Sequence, residues 1–248
     1  RANKGKYKKV LVEKSTRSYM EELDMDIAKE RADHGKPPLP PSQSGPETKE
    51  TKGSITDPDS GYMVREGKPK GFFYLDHRTV DGNHGIITDS YVTAGNVHDS
   101  IPYLERLDRQ LARFGFATPA AGLDAGYFTP HICKGLIERR IYGVIGYRCP
   151  PHKPGYLRKR DFVYDEKTDC YLCPQNQILS YRTTTREGYR EYASNPSICR
   201  ACELLSQCTR SKNQTKIVLR HIWQEYKEGI DSHRYEHRGK SIYKRRKE

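Results

Sequence analysis

The sequence predicts an α/β fold, mainly because of the order of its apolar segments. Between residues 71 and 147, patterns typical of strands and helices follow one another as strand, strand, helix, strand, helix, strand. An antiparallel hairpin that leads into parallel strands would produce this order. A second observation is that five of the seven cysteines lie between Cys170 and Cys208. We therefore expect an α/β core followed by a small cysteine-rich β-hairpin region.

The first two strands of the core are predicted from aromatic and β-branched residues on either side of a turn. Residues 71–80 and 86–93 have the composition of strands. The intervening Asp81–Gly85 has the composition of a hairpin loop. These features together predict an antiparallel hairpin.

A helix over residues 101–114 is predicted next, with Asp99 or Ser100 as its N-cap. Its apolar stripe consists of Ile101, Leu104, Leu107, Leu111 and Phe114. His98 and Asp99 in the preceding loop could take part in catalysis. The spacing favours the alternative of an exposed loop histidine beside a capping aspartate.

The core is expected to be organised around the stretch Gly122–Pro130. A short strand delivers Asp124 to a glycine turn, after which Thr129 and Pro130 begin a helix as N-cap and first helical residue. A carboxylate at a strand end, beside a helix N-terminus, is well placed to bind a metal ion. Spacing alone favours the alternative that Asp124 only forms the turn, because aspartate is common in turns.

The N-terminal part is predicted to hold a basic segment, a helix and a linker. Residues 1–35 comprise a loosely ordered basic segment and a helix that ends near Asp33. The apolar stripe of that helix is Met20, Leu23 and Ile27. Residues 36–61 are expected to be a proline-rich linker that resists packing. Asp57 and Asp59 could bind a metal, although turn formation is their commoner role.

The charge of the chain indicates a polyanionic partner. The net charge is +12, the pI is about 9.3 and the mean hydropathy is −0.92. An excess of this size favours nucleic acid, against the alternative of a generally basic protein. No apolar run approaches the roughly 20 residues of a membrane span, so we expect no membrane partner. No signal peptide is visible, and we expect the N-terminus at Arg1 not to be the native one.

The clustered cysteines have the spacing of a structural zinc site. Cys170 and Cys173 form one pair, Cys199 and Cys202 form a second, and Cys208 is a fifth candidate. Structural zinc takes four ligands in a tetrahedron, and each pair supplies two ligands from one tight turn. The alternative is a set of reduced cysteines in the core of a small hairpin.

Several motifs together resemble one known protein family. They are TDPDSGYM at 56–63, TAGNVHDS at 93–100, LDAGYFTP at 123–130 and the cysteine-bearing run at 164–208. Their order and spacing are similar to those of bacterial insertion-sequence transposases of the DDE class, and most similar to the insertion-sequence eleven-eighty-two group. The resemblance covers nearly the whole chain.

This resemblance implies an RNase H-like mixed sheet with flanking helices, interrupted by a small cysteine-rich β-hairpin insertion. The partial catalytic core would span residues 62–149 and the insertion 150–220. Residues 221–248 would be a helical segment that leads towards a further helix.

In this family three carboxylates hold two Mg²⁺ ions that promote phosphoryl transfer at DNA ends. Asp124 resembles the second carboxylate. The first would precede Arg1 and the third would follow Glu248, so the resemblance implies an internal fragment, or a decayed copy, that is inactive by itself. The family's zinc-binding pattern falls on Cys173, Cys199, Cys202 and Cys208, with Cys170 as a spare.

The resemblance also implies partners and a location. DNA at the transposon ends and the target would be bound, the intact protein would self-associate, and the compartment would be the bacterial cytoplasm. Basic and aromatic residues of the insertion suit phosphate contact and base stacking, against the alternative that they are ordinary surface residues. They are Arg158, Arg160, Tyr181, Arg182, Tyr189 and Arg190. One competing interpretation is a zinc-stabilised module that binds nucleic acid without catalysis. A weaker one is a nuclease with the same core.

Overall fold

A computed structural model describes residues 6–13, 17–40, 48–65, 67, 69–149 and 153–246. The chain forms two compact units. The first unit comprises Arg1–Met20, Ser42–Tyr147 and Glu225–Glu248, and the second, here called the cysteine unit, comprises Glu21–Pro41 and Arg148–Gln224. Within the described ranges, no helix is both long and apolar enough to cross a membrane.

The secondary structure contains both strands and helices. In chain order the elements are β1 (Tyr7–Glu13), α1 (Arg17–Asp33), β2 (Thr48–Ser54), β3 (Gly61–Met63), β4 (Gly71–Val80), β5 (Ile87–Ala94), α2 (Tyr103–Phe114), β6 (Ala120–Leu123), α3 (Pro130–Glu138), β7 (Tyr142–Ile145), β8 (Val163–Asp165), β9 (Cys170–Leu172), β10 (Ile178–Thr184), β11 (Tyr189–Ser194), α4 (Pro196–Cys199), α5 (Leu205–Cys208), β12 (Ile217–His221), α6 (Gln224–Ser232) and α7 (His237–Arg245). This mixture of strands and helices confirms the α/β class.

The first unit contains a five-stranded antiparallel sheet in the order β1-β2-β3-β4-β5. The predicted hairpin is confirmed as β4 and β5, which pair from Tyr74 opposite Ala94 to Val80 opposite Ile87. The pairing of β1 with β2 differs from expectation, because it uses residues expected to be loosely ordered or part of a linker. The prolines that indicated a linker precede β2, so its backbone N–H groups remain available for the ladder.

A separate two-stranded parallel sheet is formed by β6 and β7. Ala120 lies opposite Tyr142 and Leu123 lies opposite Ile145. Among the described residues, the hairpin and the parallel strands therefore belong to different sheets, whereas we expected one mixed sheet. Helix α7 covers the parallel pair, and its Ile242 approaches Gly122 of β6.

The core of the first unit lies between α2, α3, β7 and α6. The predicted stripe of α2 is correct for Leu104 and Leu107, which are buried, whereas Ile101 precedes the helix and Phe114 is exposed. Helices α2 and α3 approach closely at Gly135, where an added Cβ would overlap the side chain of Leu104. The buried members of the cluster are Tyr103, Leu104, Leu107, Ile132, Cys133, Leu136, Ile141, Ile145 and Ile230.

The cysteine unit is built on a five-stranded antiparallel sheet in the order β12-β11-β10-β9-β8. It is thus larger than the hairpin that we expected. The second half of α1 belongs to the same unit, and the predicted stripe is correct for Leu23 and Ile27, which are both buried. Trp223 donates a hydrogen bond from Nε1 to Asp26 Oδ2 of this helix at 2.7 Å.

A partly buried polar network links α1 to the sheet of the cysteine unit. Asp169 accepts hydrogen bonds from the hydroxyls of Tyr164 at 2.7 Å and Tyr192 at 2.5 Å. His34, just after α1, lies 2.8 Å from Asp169 through Nε2. Arg190 of β11 pairs with Glu30 of α1, with 2.7 Å between Nε and Oε1. The network supplies partners for charges that would otherwise be costly to bury.

Candidate active site and cysteine cluster

Asp124 lies at the carboxyl end of β6, as the sequence predicts. Its backbone is extended, with φ −68° and ψ 160°, and its carbonyl accepts a hydrogen bond from Tyr127 N at 3.0 Å to close a short 3-10 turn. Helix α3 then begins as predicted, with Thr129 as N-cap accepting from Ile132 N. The Asp124 side chain is 67% exposed, so its carboxylate is open to a ligand from solvent.

Arg246 is the partner of Asp124, and sequence reasoning missed it. Its guanidinium donates from Nη2 to Asp124 Oδ1, and it also lies over the Tyr243 ring at 5.1 Å. Its Nε is buried and has no hydrogen-bond partner among the residues described. The Arg246 stem passes beside β6, since a Cβ placed on Gly122 would lie 3.5 Å from Arg246 Cβ, an ordinary contact. The only sequence signal for this contact was the basic end of the chain.

The two loops that the motifs mark come together beside Asp124. A Cβ placed on Gly126 would lie 3.9 Å from His98 Cε1, so the His98 loop borders the Asp124 turn. Burial, followed by the nearby charges of Asp99 and Asp124, raises the pKa of Tyr127 to about 12. Asp99 and Asp124 therefore lie near the same partly buried tyrosine, and His98 lies beside the turn that precedes it.

The loop residues do not cap α2, so that prediction is wrong. The helix begins at Tyr103 with Pro102 at the N-cap position and no side-chain hydrogen bond there. The Ser100 hydroxyl instead lies 2.7 Å from His98 Nδ1. Asp99 lies 3.8 Å from His77 Nδ1. Because α2 begins two residues later than expected, at Tyr103, neither Asp99 nor Ser100 occupies the N-cap position.

Asp57 adopts the turn role that was the commoner alternative. Its carbonyl accepts from Ser60 N at 3.2 Å, and its carboxylate accepts from the Tyr74 hydroxyl at 2.7 Å. Across the described residues, no group of three or more His, Cys, Asp or Glu side chains has the arrangement of a metal site. This applies to Asp124 as well as to Asp57 and Asp59.

The four cysteines of the expected zinc quartet lie in one region of the cysteine unit. Cys173 and Cys208 both pack against the cluster around Tyr171 and Tyr192. Cys199 and Cys202 share a tight turn, in which Cys202 N donates to Cys199 O at 3.0 Å. None of the seven cysteines, all within the described ranges, forms a disulfide bond.

The electrostatics of Cys208 indicate that the other three thiols of the quartet lie near it. Burial raises the pKa of Cys208, and the charges of Cys199, Cys173 and Cys202 act in the same direction, whereas Lys216 opposes them. The four groups are thus neighbours, although their arrangement is not that of a formed metal site. Cys170 is not among the thiols that affect the pKa of Cys208. It is buried, with its sulfur 3.1 Å from Thr168 Oγ1.

The expected DNA-contacting residues are partly used inside the cysteine unit. Tyr181 stacks on His34 with 3.8 Å between ring centroids, and Arg190 pairs with Glu30. Arg182 forms an ion pair with Glu191. These side chains hold the unit together, so they are less available for phosphate than the sequence pattern indicates.

The C-terminal part of the chain is similar to a known family. Residues 172–248 match the family described as the transposase DDE domain. The matched segment contains Cys173, Cys199, Cys202 and Cys208 and the helix before Arg246, and it does not include Asp124. No curated protein and no solved structure matches the chain.

Proposed function

We propose that this chain is part of a DDE-class DNA transposase that transfers phosphoryl groups at insertion-sequence ends. The match of residues 172–248 to the transposase DDE domain carries this proposal. We also propose that the chain belongs with the insertion-sequence eleven-eighty-two group and that residues 62–149 are a partial RNase H-like catalytic core. The motifs TDPDSGYM, TAGNVHDS and LDAGYFTP, which precede the matched segment in the chain, support this assignment.

In this proposal Asp124 is one of the family's three carboxylates. Mg²⁺ ions in such a site would stabilise the attacking and leaving oxygens of the transferred phosphoryl group. The described residues do not by themselves fit a pair of metal ions, because Asp124 is paired with Arg246 and no further acidic ligands converge on it. We therefore propose that this chain alone does not carry out transposition.

Changing Asp124 tests the catalytic proposal. In a full-length transposase that contains this sequence, Asp124→Asn should abolish Mg²⁺-dependent cleavage of insertion-sequence end DNA, because an amide cannot replace a carboxylate that helps to neutralise the metal charge. Glu166→Gln, at an exposed position of the cysteine unit, is the matched control and should cleave normally. Undiminished cleavage by Asp124→Asn would remove Asp124 from the active site. Cleavage by the present chain alone would overturn the proposed inactivity.

We also propose a structural zinc ion bound by Cys173, Cys199, Cys202 and Cys208, with Cys170 as a spare. Cys173, Cys199 and Cys202 all contribute to the raised pKa of Cys208, which supports the grouping. A four-thiolate site is closed to substrate, so the zinc would stabilise the cysteine unit and take no part in catalysis.

The partners follow from the same proposal. DNA at the transposon ends and the target would be the substrate, and the net charge of +12 supports binding to a polyanion. Self-association would bring two ends together in the intact protein. The bacterial cytoplasm would be the place of action.

A second candidate is a zinc-stabilised module that binds nucleic acid without catalysis. The pairing of Asp124 with Arg246 favours this candidate, since it leaves the carboxylate neutralised by the chain itself. Cleavage by the unsubstituted full-length protein that is lost in Asp124→Asn would contradict this second candidate.

A further inference from the structure

A polar cavity borders the segment that follows the second cysteine pair. It has a volume of about 480 Å³, and we call it the cationic cavity. Its lining includes Cys202, Ser206, Thr209, Arg210, Lys212 and Gln214. Hydroxyl, amide and cationic groups therefore dominate its wall. Such groups can donate hydrogen bonds to phosphate oxygens.

The charge of the cationic cavity is mainly positive. Arg210 and Lys212 are exposed, and no ion pair within the described residues joins either of them to a carboxylate. Glu203 is the acidic residue in the lining. Arg200 is a third cation next to the cavity, outside the lining, where its Nε donates a hydrogen bond to Gln214 Oε1 at 3.3 Å. These cations thus remain available to an external anion.

The loop that carries these cations is held by its own hydrogen bonds. Thr209 Oγ1 accepts from Ser211 N at 3.1 Å and donates to Thr215 O at 3.0 Å. Gln214, with φ +55°, donates from its N–H to Ser211 O at 2.9 Å. Because the loop is already ordered, little conformational entropy would be lost when an anion binds.

An aromatic ring lies beside the cations. Arg210 is placed over the Tyr156 ring at 4.5 Å from its centroid and donates from Nε to the Tyr156 hydroxyl at 2.5 Å. This contact orients the planar guanidinium, which suits it to two-point contact with phosphate oxygens. Arginine next to tyrosine is also a combination that receives nucleic-acid strands.

We propose that the cationic cavity binds the phosphodiester backbone of nucleic acid, with Arg210 and Lys212 as its phosphate contacts. The inference rests on the proposed function and deepens it, because it assigns DNA binding to this face of the cysteine unit. Arg210 and Lys212 would then be the principal DNA contacts. Tyr181, Arg182 and Arg190, which the sequence indicated, have partners within the cysteine unit.

The test is a binding titration of the full chain with a fluorescein-labelled DNA duplex and with the matching single strand, at several salt concentrations. In Arg210→Ala/Lys212→Ala the affinity should fall at least about tenfold at low salt, and the slope of log affinity against log salt should become shallower by about 2. The matched control is Lys29→Ala/Lys167→Ala, which removes two exposed cations of the same unit outside the cavity. Its affinity should fall much less, with nearly the original slope.

A charge-preserving variant, Arg210→Lys/Lys212→Arg, should keep the original slope, and circular dichroism melts should show that every variant is folded. Equal affinity and slope in wild type and Arg210→Ala/Lys212→Ala would overturn the inference while leaving DNA as the proposed partner. An equal loss in the control pair would also overturn it, since net charge alone would then explain binding. Failure of the wild-type chain to bind either DNA would overturn both the inference and the proposed DNA partner of this chain.

Discussion

At the scale of single residues, local sequence predicts the position of Asp124 but not its partner. Asp124 lies where its own neighbours place it, between a short strand and a glycine turn. Its partner Arg246 lies 122 positions further along the chain, and no local pattern connects the two. The pairing depends on how α7 packs on β6, which is a property of the folded unit.

His34 is a single residue whose charge should control the stability of the cysteine unit. Burial acts to lower its pKa, but hydrogen bonds to Asp169 and Glu30 and the charges of those two acids raise it overall above its ordinary value of 6.5. Tyr181 stacks on the ring, and Arg190 faces the same two acids. The folded state thus favours protonated His34.

A group with a raised pKa stabilises the folded state below its unfolded pKa and loses that contribution as the pH rises through the folded value. The melting temperature of the cysteine unit should therefore decrease between about pH 6 and 8, the range in which histidine titrates. His34→Gln should reduce this decrease, whereas His84→Gln, at an exposed loop position, should leave it unchanged. Thermal melts across this range measure the effect. An identical decrease in His34→Gln would show that another group is responsible.

At the scale of elements, the distance between α2 and α3 depends on Gly135. Since a methyl group there would overlap Leu104, Gly135→Ala should lower the free energy of unfolding by about 1–3 kcal/mol. Urea unfolding measures this change. Gly229→Ala in α6 is the matched control, because its Cβ would meet Ile137 at 3.6 Å, an ordinary contact. There we expect unchanged or slightly higher stability. An unchanged free energy of unfolding in Gly135→Ala would contradict this prediction, since it would mean that α2 and α3 can move apart to accommodate the methyl group.

The elements also show which parts of the fold could be predicted. The β4–β5 hairpin and the start of α3 were predicted because turn and capping residues act over a few positions. The pairing of β1 with β2 was not predicted, because a helix and a proline-rich segment separate the two strands in sequence and no local pattern indicates the pairing. The candidate site behaves in the same way, since Asp124 was predicted from its turn and Arg246 was not.

At the scale of the whole molecule, metal removal should affect the two units differently. If the proposed zinc is present, the purified reduced chain should contain about one zinc ion. A chelator should then destabilise the cysteine unit, because binding free energy contributes to its folding. Cys199→Ser should lose the metal, whereas Cys149→Ser, at an exposed cysteine outside the quartet, should retain it.

Elemental analysis and thermal melts with and without chelator provide the measurement. A zinc content far below one per chain, together with melting that does not respond to the chelator, would contradict the zinc proposal.

The division of the chain also constrains the order in which the protein can fold during synthesis. The first unit takes its chain from three separated segments, the last of which begins at Glu225, after the cysteine unit has been made. The strands β6 and β7 must therefore leave the ribosome long before the helix that covers them. During that interval their apolar face has no native cover, which makes the half-made chain a substrate for chaperones and a source of aggregation. Expression at lower temperature or with added chaperone should accordingly help the first unit more than the cysteine unit.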